Sequence, residues 1–166
     1  MQHMYKLIEH NSPLLKQVTE KFDFSNPPTD PVQLYNDLAK IMIDEGGIGL
    51  SANQVGLPYR FFVLRAEQVI GCFNPIIVDQ SSEMVMLEEG CLSFPGLMVK
   101  IKRPRRIKVR FAEPDGQIYT KVFDGMTARA FQHELSHLDG RTMFDDCSYI
   151  ERERAKKKWI QLQRKK

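Results

Sequence analysis

Two histidines and a glutamate have the residue types and the spacing of a metal-dependent hydrolase site, because residues 133–137 read His-Glu-Leu-Ser-His. On a helix, side chains at positions i and i+4 lie on the same face, so His133 and His137 can contact one ion. Glu134 lies beside the first histidine, where its carboxylate can act as a general base toward a water on that ion. A catalytic site of this kind has three protein ligands and one open position, so a third ligand must come from elsewhere.

A helix must position this motif, and the residues around it predict one. Thr127 is expected to cap the start of the helix, and Gly140 follows its end. Four apolar residues recur at helical spacing and predict a buried face: Ala128, Phe131, Leu135 and Leu138. The residues that follow, 143–146, are expected to form a loop.

One candidate for the third ligand is a cysteine. The chain has three, Cys72, Cys91 and Cys147, and neither their odd number nor their spacing predicts a disulfide framework. Cys91 follows an apolar segment at 83–87 and precedes Pro95-Gly96, which places it at the end of a predicted strand. A buried cysteine with a purely structural role is the alternative.

Length and composition predict one globular domain with a basic end. The 166 residues are 42% apolar and 27% charged, and no apolar run is long enough for a membrane span. Residues 1–10 have neither the apolar core of a signal peptide nor an Arg-rich transit pattern, so we expect a cytoplasmic protein. Residues 150–166 contain eight Lys and Arg and two Glu, whereas residues 1–149 have a net charge of −3.

Further elements follow from local patterns. A helix is predicted from Pro31 to Gly46, with a buried stripe of apolar residues, and strands at 60–65 and 70–78. Residues 107–111 and 118–122 flank a Glu-Pro-Asp-Gly turn and predict a hairpin. A last helix is predicted over 151–166, with little apolar surface.

The glycine-rich segment 47–56 contains a side chain that suits catalysis. Gln54 has an amide that can donate hydrogen bonds to an oxyanion, and the glycines allow a close approach of the backbone. A plain connection between a helix and a strand is the alternative.

Three segments now stand in a fixed order: GIGLSANQ at 47–54, EGCLS at 89–93 and QHELSHLDG at 132–140. Together they resemble the motifs of the peptide deformylases. The resemblance implies an α+β fold in which antiparallel strands pack around a central metal-binding helix. It also implies a catalytic domain at 1–149 and a basic C-terminal helix or tail at 150–166.

The resemblance implies a role for each motif residue. It implies that Glu134 is the general acid/base, and that the Gln54 side chain and the backbone N–H of Leu92 hold the oxyanion. It implies that three residues hold a divalent metal ion: Cys91, His133 and His137. That ion is commonly Fe(II) in the family, with Zn, Ni or Co accepted.

The resemblance also implies the substrate and how it binds. The enzymes remove the N-terminal formyl group from formyl-methionine of newly made polypeptides and release formate. Backbone groups of Ile48, Gly49 and Glu89 would bind an extended substrate. The methionine side chain would occupy a pocket lined by Ile48, Leu87, Met126, Arg129 and Ala130. The basic tail would contact the ribosome or remain a solvated helix, and neither a membrane nor DNA is expected as a partner.

Two positions depart from the family pattern. Ser51 replaces an alanine, a small change that we expect to be silent. Ser136 replaces an aspartate that, in the family, pairs with a basic residue near Arg103. The serine removes a charge there and leaves the orientation of the metal ligands in question, although activity is expected to survive.

Two other functions fit parts of the sequence. His-Glu-x-x-His is also a metallopeptidase motif, but those enzymes usually take their third ligand downstream of it. The second alternative is a catalytically weak, metal-stabilised module that binds the ribosome or RNA through the basic tail. The presence of both Glu134 and Gln54 argues against that alternative.

Overall fold

The computed structural model describes residues 3–166, so the first two residues of the predicted catalytic domain lie outside the described part. The seven strands in this part are β1 (Gly49–Ser51), β2 (Phe61–Arg65), β3 (Val69–Gln80), β4 (Met84–Cys91), β5 (Phe94–Pro104), β6 (Arg106–Ala112) and β7 (Ile118–Asp124). The helices are α1 (Pro31–Asp44), α2 (Gly125–Leu138), α3 (Met143–Asp146) and α4 (Tyr149–Arg164). None of the helices within residues 3–166 is long and apolar enough to cross a membrane.

The main sheet has five antiparallel strands in the order β1-β2-β3-β6-β7, and β4 and β5 pair as a separate hairpin. Strand β2 is buried on both faces. Phe61 and Val63 belong to one apolar cluster and Phe62 and Leu64 to another, because successive side chains of a strand point to opposite faces. The sheet therefore separates two hydrophobic cores.

Helix α1 covers one face of the sheet. Asp30 caps its first turn by accepting from the backbone N–H of Val32. The predicted apolar stripe is confirmed, since Leu34, Leu38, Ile41 and Met42 are all buried against β2 and β3. The core between α1 and the sheet therefore stabilises the part of the sheet that contains β1.

Helix α2 covers the other face and lies between the sheet and the β4–β5 hairpin. The Phe131 ring packs edge-on against Phe62 at a centroid distance of 5.0 Å and also contacts Phe111 and Phe123. The expected α+β arrangement around a central helix is confirmed. The expected cap at Thr127 is wrong, since the helix begins at Gly125 and Thr127 lies within its first turn.

A third core lies under the β4–β5 hairpin. Residues 143–146 are a helical turn, α3, rather than the predicted loop, because Thr142 and Asp145 form a capping box at its start. Helix α4 buries Ala155 completely and packs Trp159 and Leu162 against β5, so its apolar contacts are more extensive than its sequence suggests. These contacts bring α3 and α4 close to the end of β4.

Gly140 links α2 to this third core, and its substitution tests how tightly the helix end is held. It has a φ of +74°, and a Cβ there would lie 2.6 Å from the backbone oxygen of Lys16. Gly46 is a matched control, since its φ is +73° and a Cβ there would contact nothing within 4 Å. We expect Gly46→Ala to lower the free energy of unfolding by about 1 kcal/mol through backbone strain alone. Gly140→Ala should cost a further ~1–3 kcal/mol because the backbone of Lys16 must move.

Urea denaturation of the two variants measures this difference. Equal losses for Gly46→Ala and Gly140→Ala would show that the contact with Lys16 is unimportant.

Candidate active site

Three side chains with metal-binding atoms meet where β4 ends against α2. Cys91 is the last residue of β4, and His133 and His137 lie one turn apart on α2. Their ligand atoms all lie within 4.8 Å of one another, and the Cys91 Sγ is 3.2 Å from the His137 Nε2. Both histidines are buried. The structure thus brings together the cysteine and the two histidines that the sequence singled out.

The chemistry of these three residues fits a single divalent ion. Thiolate sulfur and imidazole nitrogen are ligands of zinc and of other first-row transition metals. Burial alone would raise the pKa of the Cys91 thiol, but the neighbouring imidazoles of His137 and His133 lower this pKa well below its usual value. A thiolate is the form of cysteine that binds metals. The three-residue set also leaves room for a further ligand in a four-coordinate site.

The orientation of His133 is fixed from behind by Glu89. The His133 Nδ1 lies 2.8 Å from the Glu89 Oε1, so Nδ1 bears the proton and Nε2 faces Cys91. Burial would raise the pKa of Glu89, but hydrogen bonds from His133 and Arg103 outweigh it and hold this pKa far below its usual range. The carboxylate is therefore ionised and keeps His133 in one tautomer.

Glu89 is also the centre of a buried ionic cluster. Arg103 donates to both carboxylate oxygens, with distances of 2.5 Å to Oε2 and 2.9 Å to Oε1. Arg129 donates to Oε2 at 2.8 Å and to the carbonyl oxygens of Ile101 and Val85. Since Arg103 is on β5 and Arg129 is on α2, the Glu89 carboxylate joins the hairpin to the helix.

Glu134 lies next to the three ligands and is almost completely buried. Its Oε2 is 4.0 Å from the His133 Nε2, and its Oε1 has no hydrogen-bond partner among the described residues. Burial raises the pKa of the Glu134 carboxyl group. The carboxylate packs directly on Gly49, where a Cβ would come within 2.6 Å of the Oε2. Glu134 thus has the environment of a group that exchanges protons.

Gln54 faces the cysteine with its amide nitrogen. Its Oε1 accepts from both the backbone N–H and the hydroxyl of Ser51, each at 3.0 Å. A backbone N–H can only donate, so the amide NH₂ must point the other way, toward Ser93 Oγ at 2.9 Å and Cys91 Sγ at 3.5 Å. Ser51 was expected to be silent, yet its hydroxyl contacts a predicted catalytic side chain.

A cavity of about 470 Å³ opens onto these groups. Leu92, whose N–H was predicted to hold an oxyanion, lies on its wall in the two-residue connection between the paired residues Cys91 and Phe94. The predicted residues that line the cavity are Ile48, Gly49, Gln54, Glu89, Cys91, Leu92, Met126, Arg129, Ala130, His133 and Glu134. The size suits a small ligand or the end of a peptide.

Two predicted residues lie elsewhere. Leu87 is on β4, 38% exposed and outside the cavity wall, and His137 lies behind the wall with 1% exposure. The guanidinium of Arg129 is engaged by Glu89 and by two carbonyl oxygens, so only the rest of this side chain faces the cavity. Large apolar side chains of the wall also reach the surface, and those of Ile48, Met98 and Met126 are 51%, 46% and 59% exposed.

The neighbourhood of Ser136 contains an acidic group after all. The Ser136 hydroxyl donates to the Asp146 Oδ2 at 2.5 Å, and Arg103 donates to the same oxygen at 3.2 Å. The negative charge that is absent at position 136 is thus supplied by the Asp146 carboxylate on α3.

Sequence reasoning missed the side-chain roles of Glu89, Ser93 and Asp146. A signal for Glu89 was present, because residues 89 and 91 of a regular strand share a face, which predicts that Glu89 points the same way as Cys91. Ser93 and Asp146 lie in a turn and in a four-residue helix, where no periodic pattern predicts direction.

The arrangement combines metal-binding atoms, a buried carboxyl group and an amide donor around one cavity. Such a set suits hydrolysis of a carbonyl compound, in which a water is deprotonated and charge develops on the carbonyl oxygen.

Comparisons with known proteins agree with this chemistry. The family model described as polypeptide deformylase matches residues 4–153. A peptide deformylase of Thermotoga petrophila is 35% identical over 97% of this chain and 98% of its own length. A peptide deformylase of Cytophaga hutchinsonii is 33% identical over 93% of this chain and 88% of its own length.

Solved structures give the same result. A plant peptide deformylase superposes with a TM-score of 0.90 at 29% identity, covering 99% of this chain and 92% of the plant chain. A Plasmodium falciparum peptide deformylase in complex with an inhibitor has a TM-score of 0.85 at 31% identity, over 96% and 99% of the two chains. A family model and full-length relatives above 30% identity show that this chain belongs to the peptide deformylase family.

Proposed function

We propose that the chain removes the formyl group from N-terminal formyl-methionine of newly made polypeptides and releases formate. The observation that supports this most directly is the cluster of Cys91, His133 and His137 within 4.8 Å, with Glu134 beside it on one cavity. In this proposal the first three residues hold one divalent ion. When bound, such an ion polarises the formyl carbonyl and makes a nucleophile available from water near neutral pH.

Glu134 moves the proton in this reaction. Its carboxylate takes a proton from the attacking water and delivers it to the leaving amine nitrogen, so that formate and a free N-terminus result. Burial raises the pKa of this carboxyl group, which brings it closer to the working pH and makes the carboxylate a stronger base toward the attacking water. The contact with Gly49 limits the positions that the carboxylate can take.

Gln54 and Leu92 stabilise the charge on the formyl oxygen. The Gln54 amide is held by Ser51 with its NH₂ toward Cys91, and Leu92 is in the adjacent turn. Fixed donors of this kind need no rearrangement when the charge develops, which is why removing one typically lowers kcat by about 10²–10³-fold.

The substrate lies along β1 in an extended conformation. Strand β1 is at the edge of the main sheet and, among the strands of residues 3–166, pairs only with β2, so its other edge can bind a peptide backbone. Ile48 and Gly49 on this edge and Glu89 across from it all line the cavity. The methionine side chain contacts Ile48, Met126 and Ala130 and the aliphatic part of Arg129, whereas Leu87, which was expected to line this pocket, lies outside the cavity wall.

Iron(II) is the metal that we propose for the cell, with zinc, nickel and cobalt as replacements. The ligand set of one sulfur and two nitrogens suits all of them. We also propose that the protein works in the cytoplasm, where formylated chains are made, with residues 1–149 as the catalytic unit and 150–166 as an appended basic helix. The metallopeptidase and the non-catalytic binding module are not supported by the comparisons.

The central test is formate release from a formyl-Met tripeptide by anaerobically Fe(II)-loaded protein. We expect Glu134→Gln to lower kcat about 10²–10⁴-fold, because it removes the proton carrier but retains the ligands. The control is Glu67→Gln, which changes an exposed carboxylate between β2 and β3. His133→Ala should abolish both turnover and bound metal. Full turnover by Glu134→Gln would exclude the proposed role, and cleavage of an unformylated peptide would favour a peptidase.

Gly49→Ala tests the fixed position of Glu134. A Cβ at this position would displace the carboxylate, with its nearest atom at 2.6 Å. We expect kcat to fall by about 10²-fold, since a displacement of 1 Å can have that effect. Gly90→Ala is the matched control on the same cavity, since its Cβ would meet the flexible Met98 side chain at 3.0 Å. If both variants keep wild-type kcat, the close packing of Gly49 on Glu134 is not required.

The basic helix α4 provides a test of ribosome contact. Lys157 and Lys158 are exposed on α4, whereas Lys108 and Arg110 are exposed on β6. We expect Lys157→Ala/Lys158→Ala to weaken co-sedimentation with ribosomes at low salt, because phosphate contacts account for most of such binding. Lys108→Ala/Arg110→Ala removes the same charge and should have no effect. Identical sedimentation of both double variants would show that the basic residues of α4 do not contribute to ribosome binding.

A further inference from the structure

The Asp146 carboxylate is almost completely buried and binds three side chains. Its Oδ2 accepts from Ser136 at 2.5 Å and from Arg103 at 3.2 Å, and its Oδ1 accepts from Arg141 at 3.0 Å. The Asp146 side chain is 10% exposed, whereas that of Arg141 is 53% exposed. The partners that hold Asp146 inside the protein are therefore Ser136 on α2 and Arg103 on β5.

These contacts continue to a proposed metal ligand. Arg103 donates to both oxygens of Glu89, and the Glu89 Oε1 accepts from the His133 Nδ1 at 2.8 Å. Asp146 thus reaches His133 through two intermediates, Arg103 and Glu89. Each contact joins a cation or an imidazole to a carboxylate, the type of hydrogen bond that fixes geometry most strongly.

The two buried guanidinium charges of this cluster are matched by two carboxylates only when Asp146 is included. Two buried guanidinium groups, those of Arg103 and Arg129, share one carboxylate at Glu89. Asp146 supplies the second negative charge. Without it, Arg103 would interact with Glu89 alone and compete more strongly with His133 for the Oε1. A weaker Glu89–His133 hydrogen bond makes the imidazole a poorer and less well oriented metal ligand.

Resting on the metal site proposed above, we propose that Asp146 is a positioning residue of the active site. It sets the place of Arg103 and the charge available at Glu89, and through them the orientation and basicity of His133. Asp146 does not line the substrate cavity. Its removal therefore affects metal affinity and kcat but leaves KM unchanged.

Ser136 and Asp146 form a complementary pair in this arrangement. The serine hydroxyl can donate to the carboxylate, whereas an aspartate at position 136 would place a second negative charge against it. Ser136→Asp alone is therefore unfavourable. In Ser136→Asp/Asp146→Ser the two side chains are exchanged, so the contact again contains one carboxylate and one hydroxyl. The pair offers a rescue experiment that a purely structural role of Asp146 would not pass.

The test compares Zn²⁺ dissociation constants, measured on the full chain by competition with a chromophoric chelator. We expect Asp146→Asn to raise the Kd about 10–100-fold and to lower kcat of the loaded protein with an unchanged KM. Asp145→Asn is the matched control, since Asp145 caps the same helical turn through the Thr142 N–H and is not bonded to Arg103. It should change thermal stability and leave the Kd within about threefold of wild type, well below such losses.

The rescue variant completes the test. Ser136→Asp/Asp146→Ser should restore the Kd to within about threefold of wild type, a small difference beside the loss expected for Asp146→Asn. A wild-type Kd for Asp146→Asn would overturn the inference, and so would a double variant that folds but binds as weakly as Asp146→Asn. If Asp146→Asn does not fold, the double variant decides alone. A wild-type chain that binds no Zn²⁺ would overturn the proposed metal site itself, and the inference with it.

Discussion

The buried carboxylate of Glu89 is the interaction on which the rest of the site depends. It accepts from Arg103 on β5 and from Arg129 and His133 on α2, so one side chain joins the hairpin to the central helix. Breaking a buried ion pair by removing one partner typically costs about 3–5 kcal/mol, because the remaining charge is buried without a partner. The same carboxylate fixes the tautomer of His133. The packing of hairpin on helix and the direction of a proposed metal ligand thus have a single origin.

The positions of the other groups follow from rigid elements. The alternation along β2 separates two cores, with α1 on one face of the sheet and α2 on the other, and β1 is held at the edge between them. Gly49 on β1 and Glu134 on α2 then meet so closely that a Cβ at residue 49 would displace the Glu134 side chain. The amide of Gln54 is oriented by a backbone donor at Ser51, which cannot rotate. Gly49, Gln54 and Glu134 thus lie on a strand, in a helical turn and on a helix.

Much of this could be predicted from patterns in the sequence, but only where a pattern repeats. The apolar stripes of α1 and α2 and the alternation in β6 gave the elements, and the spacing of His133 and His137 indicated one shared face. The helical turn at 143–146 was missed because four residues contain no period, and its capping by Thr142 and Asp145 was not recognised. Asp146 lies ten residues from Ser136 and far in sequence from Arg103. Its partners are set by tertiary packing, which no local rule contains.

The length of β1 has a consequence for what the protein can accept. The strand has three residues and ends in a helical turn at Ala52–Val55, so its open edge offers backbone pairing to about as many residues of a partner. Pairing through the backbone does not depend on side-chain identity, so peptides of different sequence can pair with this edge over the same short length. An edge this short also pairs poorly with the sheet edge of a second protein molecule, so an unpaired edge strand of this length does not favour aggregation.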